Sequence, residues 1–167
     1  NEVVIFPTFT ALESVADAID GKHVGYGAQD LHWEDAGAYT GAISGAMIAD
    51  ICAEYVMVGH SERRALFGDN EAVVAKKMVA AYRNGLKPML CVGENLEERE
   101  AGKTARKISM QLSNALRVIT AEQAENMVVA YEPVWAIGSG KSATAEDAQV
   151  VCRLIRDKIA KIFSVEV

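Results

Sequence analysis

Short apolar runs alternate with helical patterns along the whole chain. Five runs bounded by Gly, Pro or polar residues predict strands at residues 3–6, 24–28, 55–58, 88–92 and 127–131. After the first pair, the strands start about 30–40 residues apart, which is the length of a βαβ crossover. Continuous apolar strands separated by helices indicate parallel strands that are covered on both faces. The pattern therefore predicts an α/β chain of five βα units.

The helices are predicted to begin at capping residues. Thr10 with Glu13 three residues later has the form of a capping box, so a helix is predicted from there to about residue 19. Ser44 and Thr144 are the predicted N-caps of two later helices. Further helical patterns cover residues 71–84, 96–119 with a break near residue 102, and 145–163.

Two folds satisfy this order of elements, a doubly wound open sheet and a (β/α)8 barrel. In both, functional residues lie at the carboxyl ends of the strands. No linker or low-complexity tract interrupts the pattern, so residues 1–167 are predicted to form one domain. The residues that follow the five strands, and are therefore candidates, are Pro7 and Thr8, Gln29 and Asp30, His60 to Arg63, Gly93 and Glu94, and Glu132 and Pro133.

Composition and charge exclude several classes of function. Hydrophobic residues make up 50% of the 167 residues and charged residues 24%, which favours a sizeable core over disorder. The net charge of −6 argues against binding to nucleic acid or anionic lipid, and no apolar run is long enough to span a membrane. Cys52, Cys91 and Cys152 lie in apolar segments without metal-binding spacing, which predicts buried free thiols, a reducing compartment and no metal.

A glycine-rich run, EPVWAIGSGKSA, follows the fifth strand. A Walker A motif fails because Trp135 stands where its first glycine is required. The G-x-G-x-x-A match that begins at Gly138 lies too far beyond the strand to be a dinucleotide fingerprint. A stiff entry at residues 133–135 before small residues at 136–140 is typical of a lid that moves as one piece. An ordinary glycine-rich connection is the alternative interpretation.

His60 and Glu132 follow different strands at the same end of the predicted sheet. His60 stands near a helix start, where the helix dipole disfavours the imidazolium, so a neutral ring that donates one hydrogen bond is expected. A structural histidine is the alternative. A carboxylate at an apolar strand end beneath a lid suits a general base, and a neutral imidazole suits a developing oxyanion. Together they predict proton abstraction next to a carbonyl. Glu62, Arg63 and Arg64 also fit a solvated ion-pair face, most of all Arg64.

Four segments resemble triosephosphate isomerases in order and spacing: GAYTGAIS, YVMVGHSERR, CVGENLEEREAGKT and VVAYEPVWAIGSGKSAT. The resemblance covers essentially the whole chain. It implies a parallel (β/α)8 TIM barrel, of which this chain holds about five βα units. It further implies a cytoplasmic homodimeric isomerase of glycolysis and gluconeogenesis, without cofactor or metal, which interconverts dihydroxyacetone phosphate and D-glyceraldehyde 3-phosphate through an enediol(ate).

The same resemblance implies a role for each matching residue. Glu132 would be the base and His60 would polarise the carbonyl. The supporting residues would be Ser61, which holds Glu132 before substrate binds, Glu62, which shapes the bottom of the site, and Glu94 and Tyr131, which support Trp135. The lid would comprise Pro133, Val134, Trp135, Ala136, Ile137, Gly138, Ser139, Gly140 and Lys141 and end near residue 143, with the Gly138 amide donating to the substrate phosphate. Thr40, in the loop over residues 29–41, would lie near a partner subunit's site.

We expect the chain to be a piece of a longer protein, because it has no initiator methionine and opens almost directly on a strand. The family's first strand, with its Asn and Lys, has no counterpart here, nor do its seventh and eighth strands with their phosphate-binding turns. An incomplete barrel would expose strand edges, so assembly with a complementary chain is an alternative function. Another phosphate-binding barrel enzyme is a further alternative, against which His60 together with Glu132 argues.

Overall fold

The computed structural model describes residues 2–164, which form helices around a curled sheet of five parallel strands. Each predicted strand is confirmed, with boundaries within one residue. Their side chains form near-continuous apolar runs, as expected of strands covered on both faces. The strands are β1 Val4–Ile5, β2 Gly25–Ala28, β3 Tyr55–Val58, β4 Lys87–Val92 and β5 Val128–Tyr131.

The order of the strands decides between the two folds left open by the sequence. Each strand pairs in parallel with the one before it in the chain, giving the order β1-β2-β3-β4-β5. A doubly wound sheet reverses its order once, at the point where its ligand binds. The uniform order without reversal is that of a barrel wall, so the chain forms part of a TIM barrel.

Eight α-helices and two short 3₁₀ helices lie between residues 2 and 164. The capping box of Thr144 with Asp147 is confirmed, as is the predicted N-cap Ser44, whose Oγ accepts from the amide of Met47 at 3.2 Å. The α-helices are α1 Leu12–Ile19, α2 Gly45–Asp50, α3 Ser61–Leu66, α4 Glu71–Arg83, α5 Leu96–Glu100, α6 Thr104–Leu116, α7 Ala121–Glu125 and α8 Ala145–Ile162. The 3₁₀ helices are Phe9–Ala11 and Val134–Ala136.

Two helix predictions need correction. The capping box at Thr10 is wrong, because the chain enters α1 through a 3₁₀ turn and Ala11 becomes the N-cap. The Thr10 hydroxyl lies 3.3 Å from that of Thr8 instead. The helical pattern over residues 96–119 is divided as predicted near Gly102, but α7 was not predicted from it.

One apolar core joins the strands to the inner faces of the helices. Its fully buried members include Val56 on β3, Leu90 on β4 and Leu112 on α6. Within residues 2–164, none of the helices combines the length and the apolar character that a membrane crossing demands.

The prediction of three buried thiols is correct only for Cys91, since Cys52 and Cys152 are exposed. Cys152 directly follows the buried Val151 on α8. One helical step rotates it away from the core, which an apolar neighbourhood in sequence does not reveal.

Candidate active site

His60 and Glu132 are presented at the same end of the sheet by strands on either side of β4. His60 follows β3 and is the N-cap residue of α3. Glu132 directly follows β5, and its amide donates to the carbonyl of Val92 on β4 at 2.8 Å. The strands are parallel, so their carboxyl ends bring the two side chains together. A neighbouring glycine, Gly93, lets the Glu132 carbonyl approach so closely that a Cβ there would lie 1.9 Å from its oxygen.

The two side chains are in direct contact. Nε2 of His60 lies 2.8 Å from Oε1 of Glu132. The other ring nitrogen, Nδ1, accepts from the backbone amide of Glu62 at 3.3 Å, as a capping side chain does at a helix start. A nitrogen that accepts carries no proton, so the ring hydrogen is on Nε2 and points to the carboxylate. The ring is thus placed to donate one hydrogen bond, from Nε2 to the carboxylate.

The Glu132 carboxylate is held by three donors. Besides His60, the amide of Ser61 donates to Oε2 at 3.0 Å and the Ser61 hydroxyl to Oε1 at 3.2 Å. The Glu132 side chain is only 14% exposed. These contacts fix the carboxylate beside the start of α3.

A second carboxylate, Glu94, is completely buried at the end of β4. It accepts from the Tyr131 hydroxyl at 3.1 and 3.2 Å and from the Thr104 hydroxyl at 3.1 Å, and it pairs with Arg99 at 3.3 Å. The Tyr131 hydroxyl in turn accepts from the indole Nε1 of Trp135 at 3.3 Å. Burial raises the pKa of Tyr131, and the Glu94 charge acts in the same direction while the indole donor opposes both. The phenol therefore stays protonated and donates to Glu94.

The first part of the glycine-rich segment is tightly held. Trp135 is buried within the 3₁₀ helix Val134–Ala136, and its amide donates to the Glu94 carbonyl at 3.1 Å. The Ser139 hydroxyl donates back to the Trp135 carbonyl at 2.8 Å.

The middle of the segment faces solvent. Ile137 is exposed, and Gly138 and Gly140 adopt left-handed conformations with φ of 67° and 74°. Lys141 forms an exposed ion pair with Glu100 on α5 at 3.0 Å. The segment thus combines an anchored entry with an exposed tip.

Glu62 and Thr40 lie outside the contact between His60 and Glu132. The Glu62 side chain is 74% exposed, with its Oε2 3.8 Å from Nδ1 of His60. Thr40 is exposed in a tight turn closed by a hydrogen bond from the Ala42 amide to the Tyr39 carbonyl at 2.9 Å.

Arg64 corrects the prediction of a solvated ion-pair face. Its side chain is mostly buried and donates to the Gly59 carbonyl at 2.6 Å and to Glu71 at 2.8 Å. The guanidinium therefore ties α3 to the end of β3. Its partners are close in sequence, but the sequence pattern did not show that Arg64 is buried against them.

Four ionisable side chains that the sequence did not connect form a mostly buried cluster beside α3. Lys77, which is 2% exposed, reaches Asp30 and Asp69 at 2.6 Å each, and Arg63 reaches the same two carboxylates at 2.9 and 3.1 Å. Burial raises the pKa of Asp30, although Lys77 and Arg63 oppose the rise. One signal was available in the sequence, because Lys77 falls on the apolar face of α4, four residues from Val73.

The space around the site can admit a small polar molecule. A cleft of about 510 Å³ is lined by His60, Gln29, Met57 and Arg63 among others. A separate pocket of about 290 Å³ is lined by residues that include Glu132 and Ser61. Across residues 2–164, no cluster of three His, Cys, Asp or Glu side chains could hold a metal ion.

The amino-acid sequence is similar to a known family model and to known proteins along nearly its whole length. The family model described as triosephosphate isomerase matches residues 1–167. A triosephosphate isomerase from Moorella thermoacetica is 52% identical over 162 residues, covering 97% of this chain and 65% of its own length. Another from Carboxydothermus hydrogenoformans is 49% identical, covering 99% of this chain and 66% of its own. A third, from Streptomyces coelicolor, is 50% identical, covering 99% and 65%. The chain therefore spans about two thirds of the length of these relatives.

Proposed function

The chain belongs to the triosephosphate isomerase family, and on that premise we propose that the protein interconverts dihydroxyacetone phosphate and D-glyceraldehyde 3-phosphate. The observation that carries the proposal is the 2.8 Å contact between Nε2 of His60 and Oε1 of Glu132 at the carboxyl ends of β3 and β5. It joins a carboxylate that can accept a proton to a neutral imidazole that can donate a hydrogen bond.

In the proposed reaction, Glu132 removes a proton from the carbon next to the substrate carbonyl. The Nε2 hydrogen of His60 is then directed at the carbonyl oxygen and stabilises the enediolate as charge develops there. The hydroxyl proton then moves from the other oxygen of the enediolate to the former carbonyl oxygen, with His60 serving both oxygens, and return of the abstracted proton from Glu132 to the neighbouring carbon completes the isomerisation. To reach the substrate, Glu132 leaves the Ser61 and His60 donors, so the position described above is that of the resting carboxylate.

We propose that residues 133–143 form the lid over this site. Support comes from the anchored Trp135 next to an exposed tip that contains two left-handed glycines. Closure would expel water, which strengthens the hydrogen bonds to the enediolate and protects it from side reactions. The amide of Gly138 would donate to the substrate phosphate.

The remaining parts of the proposal concern the whole protein. We propose a cytoplasmic homodimer that uses no cofactor or metal, with Thr40 in the loop over residues 29–41 placed near the partner's site. The exposure of Tyr39 and Thr40 at the tip of this loop is consistent with a contact to a second subunit. Glu62 would shape the bottom of the site.

Substitution of Glu132 tests the proposal. Glu132→Asp withdraws the carboxylate by one methylene, about 1 Å, and a displacement of that size is expected to lower kcat about 100-fold. The measurement is turnover of either triose phosphate by the full-length protein in an assay coupled to a dehydrogenase. Glu125→Asp, on the exposed end of α7, is the matched control and should keep the parent rate. Near-normal turnover by Glu132→Asp would refute the role of Glu132.

A further inference from the structure

Arg99 contacts three separate parts of the molecule with one guanidinium group. Its NH1 lies 3.3 Å from the buried Glu94 carboxylate, and its NH2 is hydrogen-bonded to Asp147. Its Cζ lies 4.1 Å from the centre of the Trp135 ring, the geometry of a cation–π contact. The Arg99 side chain is 29% exposed, so all three contacts lie near the surface and are partly shielded from water.

Two of these contacts lie on either side of the exposed tip of the lid. Trp135 belongs to its anchored entry. Asp147 belongs to the capping box with Thr144, whose amide and hydroxyl both reach Oδ2 of Asp147 at 3.0 Å. The chain between these ends carries the exposed tip. Arg99 therefore bridges Trp135, near the start of the lid, and Asp147, in the first turn of the helix that follows the lid.

We propose that Arg99 is a positioning residue for the proposed isomerisation, which holds the two ends of the lid at a fixed separation. The buried Glu94, fixed by Tyr131 and Thr104, sets the orientation of the guanidinium. The oriented guanidinium then holds Trp135 on one side and Asp147 on the other. The proposal rests on the function proposed above, since it assigns the residue to the lid of that site.

The consequence is a narrower set of lid conformations. With both ends fixed, motion is confined to the segment between them. If the ends drift, the lid samples more arrangements and the fraction able to close on substrate falls. The apparent affinity for a ligand falls by the same fraction, so KM carries most of the effect.

Two substitutions test the contacts of Arg99 together and one at a time. Arg99→Met keeps an unbranched apolar stem and removes both ion pairs and the cation–π contact. Asp147→Asn keeps an oxygen that can accept from Thr144, and so preserves the helix cap, but it presents a neutral amide to Arg99. Arg106→Met on the exposed side of α6 is the matched control. All are made in full-length protein carrying Trp33→Phe, which leaves Trp135 as the one tryptophan of this chain.

Three readouts are compared with the Trp33→Phe parent: amide hydrogen exchange over residues 134–141, acrylamide quenching of Trp135, and the separate values of KM and kcat. Loss of the ion pairs with Glu94 and Asp147 together with the cation–π contact is expected to speed exchange about tenfold in Arg99→Met. In Asp147→Asn the expected increase is about threefold. Quenching should rise in both variants, KM should rise more than kcat falls, and Arg106→Met should match the parent.

Unchanged exchange and quenching in Arg99→Met would overturn the proposal. If Arg99→Met does not fold, Asp147→Asn decides alone: faster exchange confined to residues 134–141 supports the bridge, and parental exchange overturns it. Exchange and quenching do not depend on turnover. A parent protein without isomerase activity would therefore refute the proposed function. The contact of Arg99 with Trp135 and Asp147 would still be tested by exchange and quenching.

Discussion

Cys91 shows how the end of β4 keeps a second negative charge away from Glu132. The thiol is buried, and burial raises its pKa to about 12, with the Glu132 charge acting in the same direction. A thiol with this pKa is neutral at physiological pH. The Glu132 carboxylate therefore has no thiolate beside it to compete for the His60 and Ser61 donors.

Thiol reactivity checks this description. A pKa of about 12 leaves roughly one Cys91 thiol in ten thousand ionised at pH 8, and burial also excludes the reagent. In a Cys152→Ala background, we expect Cys52 to react quickly with an aromatic disulfide reagent and Cys91 to react only after denaturation. Mass spectrometry of the labelled peptides assigns the sites. Rapid labelling of Cys91 in the native protein would contradict its burial.

At the scale of elements, the position of Glu132 depends on how closely the ends of β4 and β5 pass each other. The apolar pattern predicted both strands to within one residue because buried parallel strands are apolar on both faces. It did not predict the approach of the Glu132 carbonyl to Gly93. That distance is set by how β4 and β5 pair in the sheet, and the apolar pattern of each strand does not show it. The same limit explains the failure at Arg64, which donates to the Gly59 carbonyl and to Glu71, because an apolar pattern does not show how the chain turns before and after α3.

Gly93→Ala tests the importance of this approach. The added Cβ would lie 1.9 Å from the Glu132 carbonyl oxygen, which is backbone and can yield only if the end of β5 moves. We expect a loss of about 1–3 kcal/mol in the free energy of unfolding from overpacking. Displacement of Glu132 by about 1 Å should also lower kcat about 100-fold. Urea titration and the coupled assay measure the two effects.

Gly21→Ala is the control for Gly93→Ala. It places a side chain in a left-handed turn with φ of 68° and no neighbour within 4 Å of the new Cβ. It should cost roughly 1 kcal/mol of stability and leave kcat unchanged. Parental kcat in Gly93→Ala would show that Glu132 does not depend on the close passage of the two strands.

At the scale of the whole molecule, the apolar pattern predicted the order and type of the elements but left two folds open. The resemblance to triosephosphate isomerases implied the barrel, and the uninterrupted order of neighbouring strands confirms it. His60 and Glu132 could be paired in advance because parallel strands present their carboxyl ends at one edge. The cluster around Lys77 could not, since its members come from a loop after β2, from α3, from the turn after it and from α4. Such a cluster is assembled by the tertiary fold alone.

Lys77 gives the last prediction, because it is the buried cation that both Asp30 and Asp69 share. Lys77→Met keeps the volume and leaves two buried carboxylates with Arg63 as their nearby cation. Removing one member of a buried ionic cluster is expected to cost about 3–5 kcal/mol of unfolding free energy near pH 7. Lys76→Met, one residue earlier on the exposed side of α4, is the matched control and should cost far less.

The loss in Lys77→Met should depend on pH with a definite sign. Burial already raises the pKa of Asp30 in the folded protein, and without the Lys77 charge that folded-state pKa rises further. The folded variant then binds more protons than its unfolded chain at every pH between the ordinary carboxyl value and this raised value. Its stability therefore falls as pH increases through that range. Urea titrations at several pH values should show the smallest deficit in acid and the largest near neutrality, with Lys76→Met flat throughout. A deficit in Lys77→Met that is the same at every pH would mean that lost packing, not the unpaired carboxylates, destabilises the variant.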